Sequence, residues 1–160
     1  MKKFALAIIV LASCSSNESV MLKVNPKLQH MNSWCWAATV AMANEYFTGR
    51  STQDCDVANT YFESQGQNKC CPFNIKCNRG LKPSHLLYLI ETQMKLAVEI
   101  RTKALRFEEI VDAISSNKLI LVGLSTNGEL QETHLVLING YAKDGEYIHL
   151  IDPGTGSICA

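Results

Sequence analysis

The chain has no excess of charge of either sign and no apolar run long enough to cross a membrane. Its 15 basic residues balance 15 acidic ones among 160 residues. No basic stripe interleaved with aromatic residues is present, so we expect no nucleic acid as a partner. The N-terminal apolar stretch, Phe4 to Ala12, has nine residues, too few for a stable transmembrane helix. Internal repeats and low-complexity tracts are also missing, and the length fits one domain.

Two lysines precede this apolar stretch, a pattern typical of a secretion signal. The junction Leu11-Ala12-Ser13-Cys14 resembles a bacterial lipobox, in which the cysteine is lipidated and becomes the first residue of the mature protein. We therefore expect an exported lipoprotein, tethered to the membrane and facing the periplasm or the cell surface. The expected divisions are a lipoprotein signal peptide at residues 1–13, the lipidated cysteine and a tether at 14–24, and one domain at 25–160. A plain cleavable signal peptide is the alternative.

Export would place the seven cysteines where disulfide bonds can form. Cys70 and Cys71 are adjacent and are not expected to bond to each other. One of them should pair with Cys77 across the intervening loop and the other with Cys55, which leaves Cys159 without an assigned partner. A zinc knuckle made of the same four cysteines is the alternative, but the Cys-x2-Cys spacing that zinc sites favour is missing. We expect no metal and no cofactor.

The order of the periodic segments indicates an α+β fold, with helices first and an antiparallel meander afterwards. Helices are predicted from about Ser33 to Gly49, from a cap at Ser51 through about Tyr61, from Pro83 through about Met94, and over Phe107–Ile114. Strands are predicted at Val98–Thr102, Leu119–Ser125, His134–Gly140 and Glu146–Ile151, with turns at Asn127-Gly128 and Asp144-Gly145. The apolar residues of 65–80 show neither helical nor strand spacing, so we interpret this segment as a loop held by disulfide bonds.

Cys35 lies at the predicted start of the first helix, in the run Trp34-Cys35-Trp36-Ala37, with Gln29 six positions before it. The positive end of a helix dipole favours the thiolate, which is the nucleophilic form of cysteine. His134 opens one predicted strand and Asp152 closes the next. A buried cysteine acting only as a small apolar residue, and a histidine satisfied within the core, are the alternatives. The fixed spacing of Gln-x5-Cys-Trp-Ala favours the catalytic interpretation.

This arrangement resembles the papain-like cysteine peptidases over roughly residues 29 to 153. It is closer to compact bacterial families, such as the effector proteases of plant pathogens and the bacteriocin-leader peptidases, than to larger lysosomal enzymes. The resemblance implies a papain-like fold with the nucleophile on a central helix packed on a C-terminal antiparallel sheet. It implies Cys35 as nucleophile, His134 as base, Asp152 as the group that orients the base, and Gln29 as a donor in the oxyanion hole.

The site departs from the common pattern in one residue, because an aspartate, Asp152, takes the place of the asparagine that many papain relatives carry. His149 in the last strand competes with His134 for the role of base. Strand alternation, however, places His149 on the face opposite to Asp152. Papain-like sheets commonly continue with further strands, so either the last strand, begun at Ser157–Cys159, is very short or the chain is a truncated form.

The implied activity is hydrolysis of peptide bonds through a thioester acyl-enzyme, by a cysteine-type peptidase acting on peptide or protein substrates. A protein inhibitor is one way in which such an activity could be controlled. A peptidoglycan endopeptidase is an alternative, although those enzymes carry a second histidine as third residue and lack the glutamine at the Gln29 position. An acyltransferase such as a transglutaminase would use the same triad. A catalytically silent binding lipoprotein with the papain fold is the alternative outside enzymes.

Overall fold

The computed structural model describes residues 19–125, 133–142, 144, 147–156 and 158–159. Its helices are α1 at Cys35–Thr48, α2 at Asp54–Ser64, α3 at Pro83–Tyr88 and α4 at Phe107–Ser115. Its strands are β1 at Ser19–Met21, β2 at Ile120–Ser125, β3 at Thr133–Ala142, β4 at Tyr147–Ile151 and β5 at Ile158–Cys159. A π-helical turn at Leu89–Gln93 continues α3. The predicted α+β class is confirmed.

Strand β3 lies at the centre of the sheet. It pairs with β4 along one edge, while β1 and β2 lie end to end along its other edge. Strands β2, β3, β4 and β5 form the predicted antiparallel meander. The pairing of Leu137 with Ile151 fixes the register of β3 and β4. This register brings His134, near the start of β3, close to the turn that follows β4.

Helices cover both faces of the sheet. On one face, Met42 of α1 packs against Leu137 and Ile151. On the other, Ile110 and Ile114 of α4 pack against β3 and β4. Every residue from Trp36 to Ala43 of α1 is buried, because α2 covers the side of α1 that the sheet does not. Helix α1 is therefore the central helix, and burial on all sides holds its first residue firmly.

Several local predictions are confirmed and two are wrong. Helix α1 stops at Gly49, whose φ of 68° suits a residue without a side chain. Helix α2 is not capped by Ser51, because the Asp56 carboxylate accepts a hydrogen bond from the backbone N–H of Gln53 instead. Residues 98–102 form no strand. No strand in the described part of the chain pairs with this stretch, and Ile100 is 60% exposed, so its apolar residues alone did not indicate a strand.

The N-terminal boundary of the folded part lies earlier than the sequence suggested. Ser19–Met21 pair with the end of β3, and Val24 is buried. The close approach depends on Gly140, since a Cβ there would lie 2.6 Å from the carbonyl oxygen of Val20. Residues 1–13 and Cys14 lie outside the described residues, as does the Asn127-Gly128 turn.

The structure contains both predicted disulfides and decides between the two adjacent cysteines. Cys70 pairs with Cys77 and Cys71 pairs with Cys55. All four sulfur atoms are therefore engaged with one another, which leaves no thiolates for the zinc alternative. Among the helices described, none combines the length and the apolar character that a membrane crossing requires.

Candidate active site

Cys35 is the first residue of α1, and its thiol is half-buried. Of the cysteines whose side chains are described, Cys35 alone is outside the disulfides. The first N–H groups of a helix have no partner within it and carry a partial positive charge. No side chain caps these groups in α1, and its first turn has no acidic residue. The positive end of α1 is thus left available to an anion at Cys35.

The other long helices begin differently. Helix α2 has Asp54 and Asp56 in its first turn, and α4 has Glu108 and Glu109. These carboxylates compensate the positive helix ends, as is usual for structural helices. The uncompensated start of α1 therefore coincides with the one position where a thiolate and a developing oxyanion would benefit from it.

His134 and Asp152 are in direct contact. The imidazole Nε2 donates to Asp152 Oδ1 at 2.5 Å, and the backbone N–H of Gly154 donates to the same oxygen at 2.7 Å. Partial burial alone would raise the pKa of Asp152. The hydrogen bonds from His134 and Gly154, together with the charge of the imidazole, outweigh burial and hold that pKa below its ordinary value. Asp152 is therefore a carboxylate at neutral pH, and among the described residues Nδ1 of His134 has no hydrogen-bond partner.

A tight turn holds the carboxylate in place. The backbone N–H of Gly156 donates to the carbonyl oxygen of Asp152 at 2.8 Å. A Cβ on Gly154 would lie 3.1 Å from Asp152 Oδ1 and 3.5 Å from His134 Cε1. The turn thus packs directly against the histidine and carboxylate pair. A side chain at position 154 would displace the pair, so glycine is the residue that fits there.

Two hydrogen bonds connect the start of α1 to the pair. Thr39, one turn after Cys35, donates through Oγ1 to the carbonyl oxygen of Leu135 at 3.2 Å. Gln29 donates its backbone N–H to the carbonyl oxygen of Pro153 at 2.9 Å. Cys35 also packs against the apolar cluster that contains Leu135. Cys35 and His134 therefore lie at adjoining ends of α1 and β3.

Within the described residues, Cys35 Sγ makes no hydrogen bond to the imidazole of His134. Catalytic hydrogen bonds are often long before substrate arrives and tighten in the complex. The structure thus brings His134 and Asp152 into contact, and places Cys35 on the neighbouring helix end.

The side chain of Gln29 is directed into its own loop. Its Nε2 donates to the carbonyl oxygens of Met31 and Asn32, at 3.0 and 2.7 Å. Its Oε1 is buried without a hydrogen-bond partner. Reversing the amide would set Oε1 against two carbonyl oxygens, so this orientation is the favourable one. In this structure Gln29 shapes the segment before Cys35, and its role in the oxyanion hole stays a prediction.

The remaining histidines occupy other positions. His149 pairs with Gly140 inside the sheet, and His85 contacts the hydroxyl of Tyr61 at 2.8 Å. His30 Nδ1 lies 2.7 Å from Asp54 Oδ1, a second histidine and carboxylate pair that the sequence analysis missed. No sequence signal joins residues so far apart in the chain.

The fold and this site define a class, that of papain-like cysteine peptidases. A family model described as Peptidase_C39-like matches residues 21–158, and the chain belongs to that family. The match covers all the elements described above except the beginning of β1 and the end of β5. No curated protein matches the chain. The family assignment supports a cysteine peptidase in general.

Proposed function

We propose that this protein hydrolyses peptide bonds through a thioester acyl-enzyme, with Cys35, His134 and Asp152 as its catalytic triad. The observation that carries the proposal is the bond of 2.5 Å between His134 Nε2 and Asp152 Oδ1, which leaves Nδ1 for the thiol on the adjoining helix end. Three groups in these roles are what nucleophilic acyl transfer requires.

The steps follow from the positions of the groups. The Cys35 thiolate attacks the substrate carbonyl carbon, and the oxyanion that forms faces the unpaired N–H groups at the start of α1. His134 gives a proton from Nδ1 to the leaving amine as the C–N bond breaks, leaving a thioester. The imidazole then takes a proton from water, which attacks the thioester, and the C–S bond breaks to release the acid and restore the Cys35 thiolate beside a protonated His134. Asp152 keeps the ring oriented throughout.

The oxyanion hole would gain a second donor if Gln29 turned its amide away from the carbonyl groups of Met31 and Asn32. Loss of one oxyanion donor typically costs about 100- to 1000-fold in turnover. Gln29→Glu keeps the size of the side chain but removes the amide donor, so it should lower turnover strongly. Gln65→Glu, an exposed glutamine at the C-terminal end of α2, is the matched control.

We propose further that the protein is exported and anchored by a lipid on Cys14, on the support of the Leu11-Ala12-Ser13-Cys14 motif. Cys14 and Ser19 of β1 are five positions apart, which at full extension is about 17 Å. An anchored domain would therefore stay close to the membrane surface. Incorporation of a labelled fatty acid, lost in Cys14→Ala, tests the anchor. An unlabelled wild-type protein found free in the medium would contradict it.

The catalytic proposal is tested with an epoxide or iodoacetamide probe from pH 4 to 9, followed by mass mapping. We expect fast labelling of Cys35 that persists below pH 6 and slows at least tenfold in His134→Ala. His149→Ala, in the same sheet, is the matched control and should label like the wild type. If Cys35 is labelled slowly, and at the same rate in the wild type and in His134→Ala, the proposal is overturned in favour of a binding protein.

Substrate classes are separated in a second experiment. Purified protein is incubated with a peptide mixture, with peptidoglycan fragments, and with peptides plus a primary amine. New peptide termini support hydrolysis, amine adducts would indicate acyl transfer, and cleavage of peptidoglycan fragments alone would overturn the choice of substrate.

A further inference from the structure

The segment before Cys35 is held by residues 70–79, here called the disulfide loop. Ser33 donates its backbone N–H to Asn78 Oδ1 at 3.0 Å. The indole Nε1 of Trp34 donates to the carbonyl oxygen of Cys77 at 2.8 Å, and this bond is buried. Trp34 itself is 0% exposed. The loop therefore holds the two residues that immediately precede Cys35, and the carbonyl oxygen of Trp34 also accepts a hydrogen bond from the backbone N–H of Ala38 in α1 at 3.0 Å.

The loop also contacts residues on either side of these two. Trp36 Nε1 donates to the carbonyl oxygen of Arg79 at 3.0 Å. The ring of His30 stacks on Phe73, with centroids 4.7 Å apart and planes inclined by 22°. The contacts thus span residues 30 to 36, with Cys35 inside the span.

Two disulfide bonds, together with hydrogen bonds from the backbone N–H groups of Cys70 and Cys71 to Asn59 Oδ1, hold the disulfide loop in shape. Apart from a single 3-10 turn at Ile75–Cys77, the loop has no regular structure. The Cys70–Cys77 bond closes it, and the Cys55–Cys71 bond ties it to α2. Opening a disulfide restores chain freedom to the segment it closes. A loop loosened in this way would no longer hold Asn78 and the Cys77 carbonyl group at their partners.

We propose that the disulfide loop is a redox-dependent positioning element for Cys35, with Asn78 as its positioning residue. The active form has a reduced Cys35 and an oxidised loop. This inference rests on the proposed function. In reduction by a dithiol, one thiolate attacks a loop sulfur and the S–S bond breaks. The second thiolate then closes the reductant into a cyclic disulfide, which releases both protein sulfurs as thiols.

The Cys70–Cys77 bond is the least accessible of the sulfur groups. Cys70 is 0% and Cys77 is 4% exposed, whereas Cys35, Cys55 and Cys71 are all partly exposed. Thiol–disulfide exchange requires access of the attacking thiolate to the sulfur. Mild reductant should therefore free an oxidised Cys35 before it opens the Cys70–Cys77 bond. Activity should rise and then fall as the reductant increases.

The first test is a titration of the purified full chain with dithiothreitol. After removal of reductant, free thiols are counted by mass, peptidase activity and labelling of Cys35 are measured, and circular dichroism reports the fold. We expect activity to fall about tenfold when the loop disulfides open while the helical signal remains, in line with the cost of misplacing a reacting group. Full activity with both disulfides open would overturn the proposal.

The second test uses Asn78→Ala, Asn78→Asp and the control Asn44→Ala, which loses a side-chain hydrogen bond to Thr52 far from the loop. We expect Asn78→Ala to lower kcat about tenfold with little change in KM. Asn78→Asp keeps the acceptor oxygen and should restore most of kcat. Asn44→Ala should keep wild-type kcat for its folded fraction.

The outcomes separate the two proposals. Slow labelling of Cys35 in the wild type, at a rate that His134→Ala does not change, would contradict the proposed function. Fast labelling in the wild type, unchanged in Asn78→Ala and after reduction of the loop, would end this inference alone. If Asn78→Ala does not fold, the dithiothreitol titration still decides.

Discussion

His134 Nε2 lies 2.5 Å from Asp152 Oδ1, and the residue that makes room for this contact is Gly154. The register of β3 and β4 brings His134, near the start of β3, together with Asp152, the residue directly after β4. Because Asp152 binds Nε2, Nδ1 is the nitrogen of His134 that would serve Cys35 in the proposed triad, and substitutions at this contact should change activity.

Two substitutions of Asp152 should distinguish its role in orienting the imidazole of His134 from the effect of its negative charge. Asp152→Ala removes the acceptor for Nε2, and we expect kcat to fall by about 100-fold because the imidazole loses its fixed tautomer and orientation. Asp152→Asn keeps an acceptor oxygen and should fall less, to a level between alanine and wild type. Initial rates of peptide cleavage with active-site titration check the order of the three proteins. If Asp152→Ala is as active as the wild type, Asp152 is not a member of the triad.

Gly154→Ala should disturb the same pair through packing. Its Cβ would lie 3.1 Å from Asp152 Oδ1, so the carboxylate must shift by a few tenths of an ångström. We expect kcat to fall about 3- to 10-fold, since small misplacements of catalytic groups are costly. Gly80→Ala is the matched control, because nothing lies within 4 Å of a Cβ there. If both variants keep wild-type kcat, a Cβ at position 154 does not displace the Asp152 carboxylate enough to affect catalysis, and the prediction is wrong.

Thr39→Val should loosen the link between α1 and β3. The substitution keeps the shape of the side chain but removes the donor to the Leu135 carbonyl oxygen inside a fully buried site. We expect a loss of about 1 kcal/mol in the free energy of unfolding and slower labelling of Cys35. Denaturant unfolding and the iodoacetamide rate measure the two effects. Thr60→Val, on an exposed helix face, should change neither by a comparable amount.

The sequence predicted those parts of the fold that depend on neighbouring residues. Helix α1 could be located because the residues around Cys35 and the stop at Gly49 act within a few positions of one another. The pairing of either Cys70 or Cys71 with Cys77 is equally local, yet only the fold decides which of the two reaches Cys55. Element type is therefore predictable where the determinants are close in sequence.

Structural features that depend on residues far apart in the chain could not be predicted from the sequence. Val98–Thr102 has the composition of a strand, but it does not pair with any strand in the described part of the chain. Ser19–Met21 fell within the expected tether at residues 14–24, yet they pair with β3, and this pairing depends on Gly140. The contact of Ser33 with Asn78 likewise joins side chain and backbone across 45 positions. Such contacts follow from topology and not from local pattern.

Glu45 should make stability depend on pH. Its carboxylate accepts hydrogen bonds from Lys27 at 2.8 Å and from Asn25 at 2.6 Å. These bonds, from Lys27 first and Asn25 second, lower the pKa of Glu45 to about 2 against the opposing effect of burial. Since the folded pKa is below the unfolded one, the stabilisation is present above the unfolded pKa, near 4.5, and is lost as pH falls towards 2.

Glu45→Gln should therefore be less stable than the wild type at pH 7, by about 1 kcal/mol, because a charged hydrogen-bond acceptor becomes neutral and solvent screens part of the effect. The difference should shrink as pH falls below about 4.5 and vanish near 2. Urea unfolding at pH 7, 4 and 2.5 measures it. Glu63→Gln, a glutamate on the exposed side of α2, is the control and should follow the wild type at every pH. A constant deficit of Glu45→Gln across the range would mean that the loss arises from packing and not from the charge.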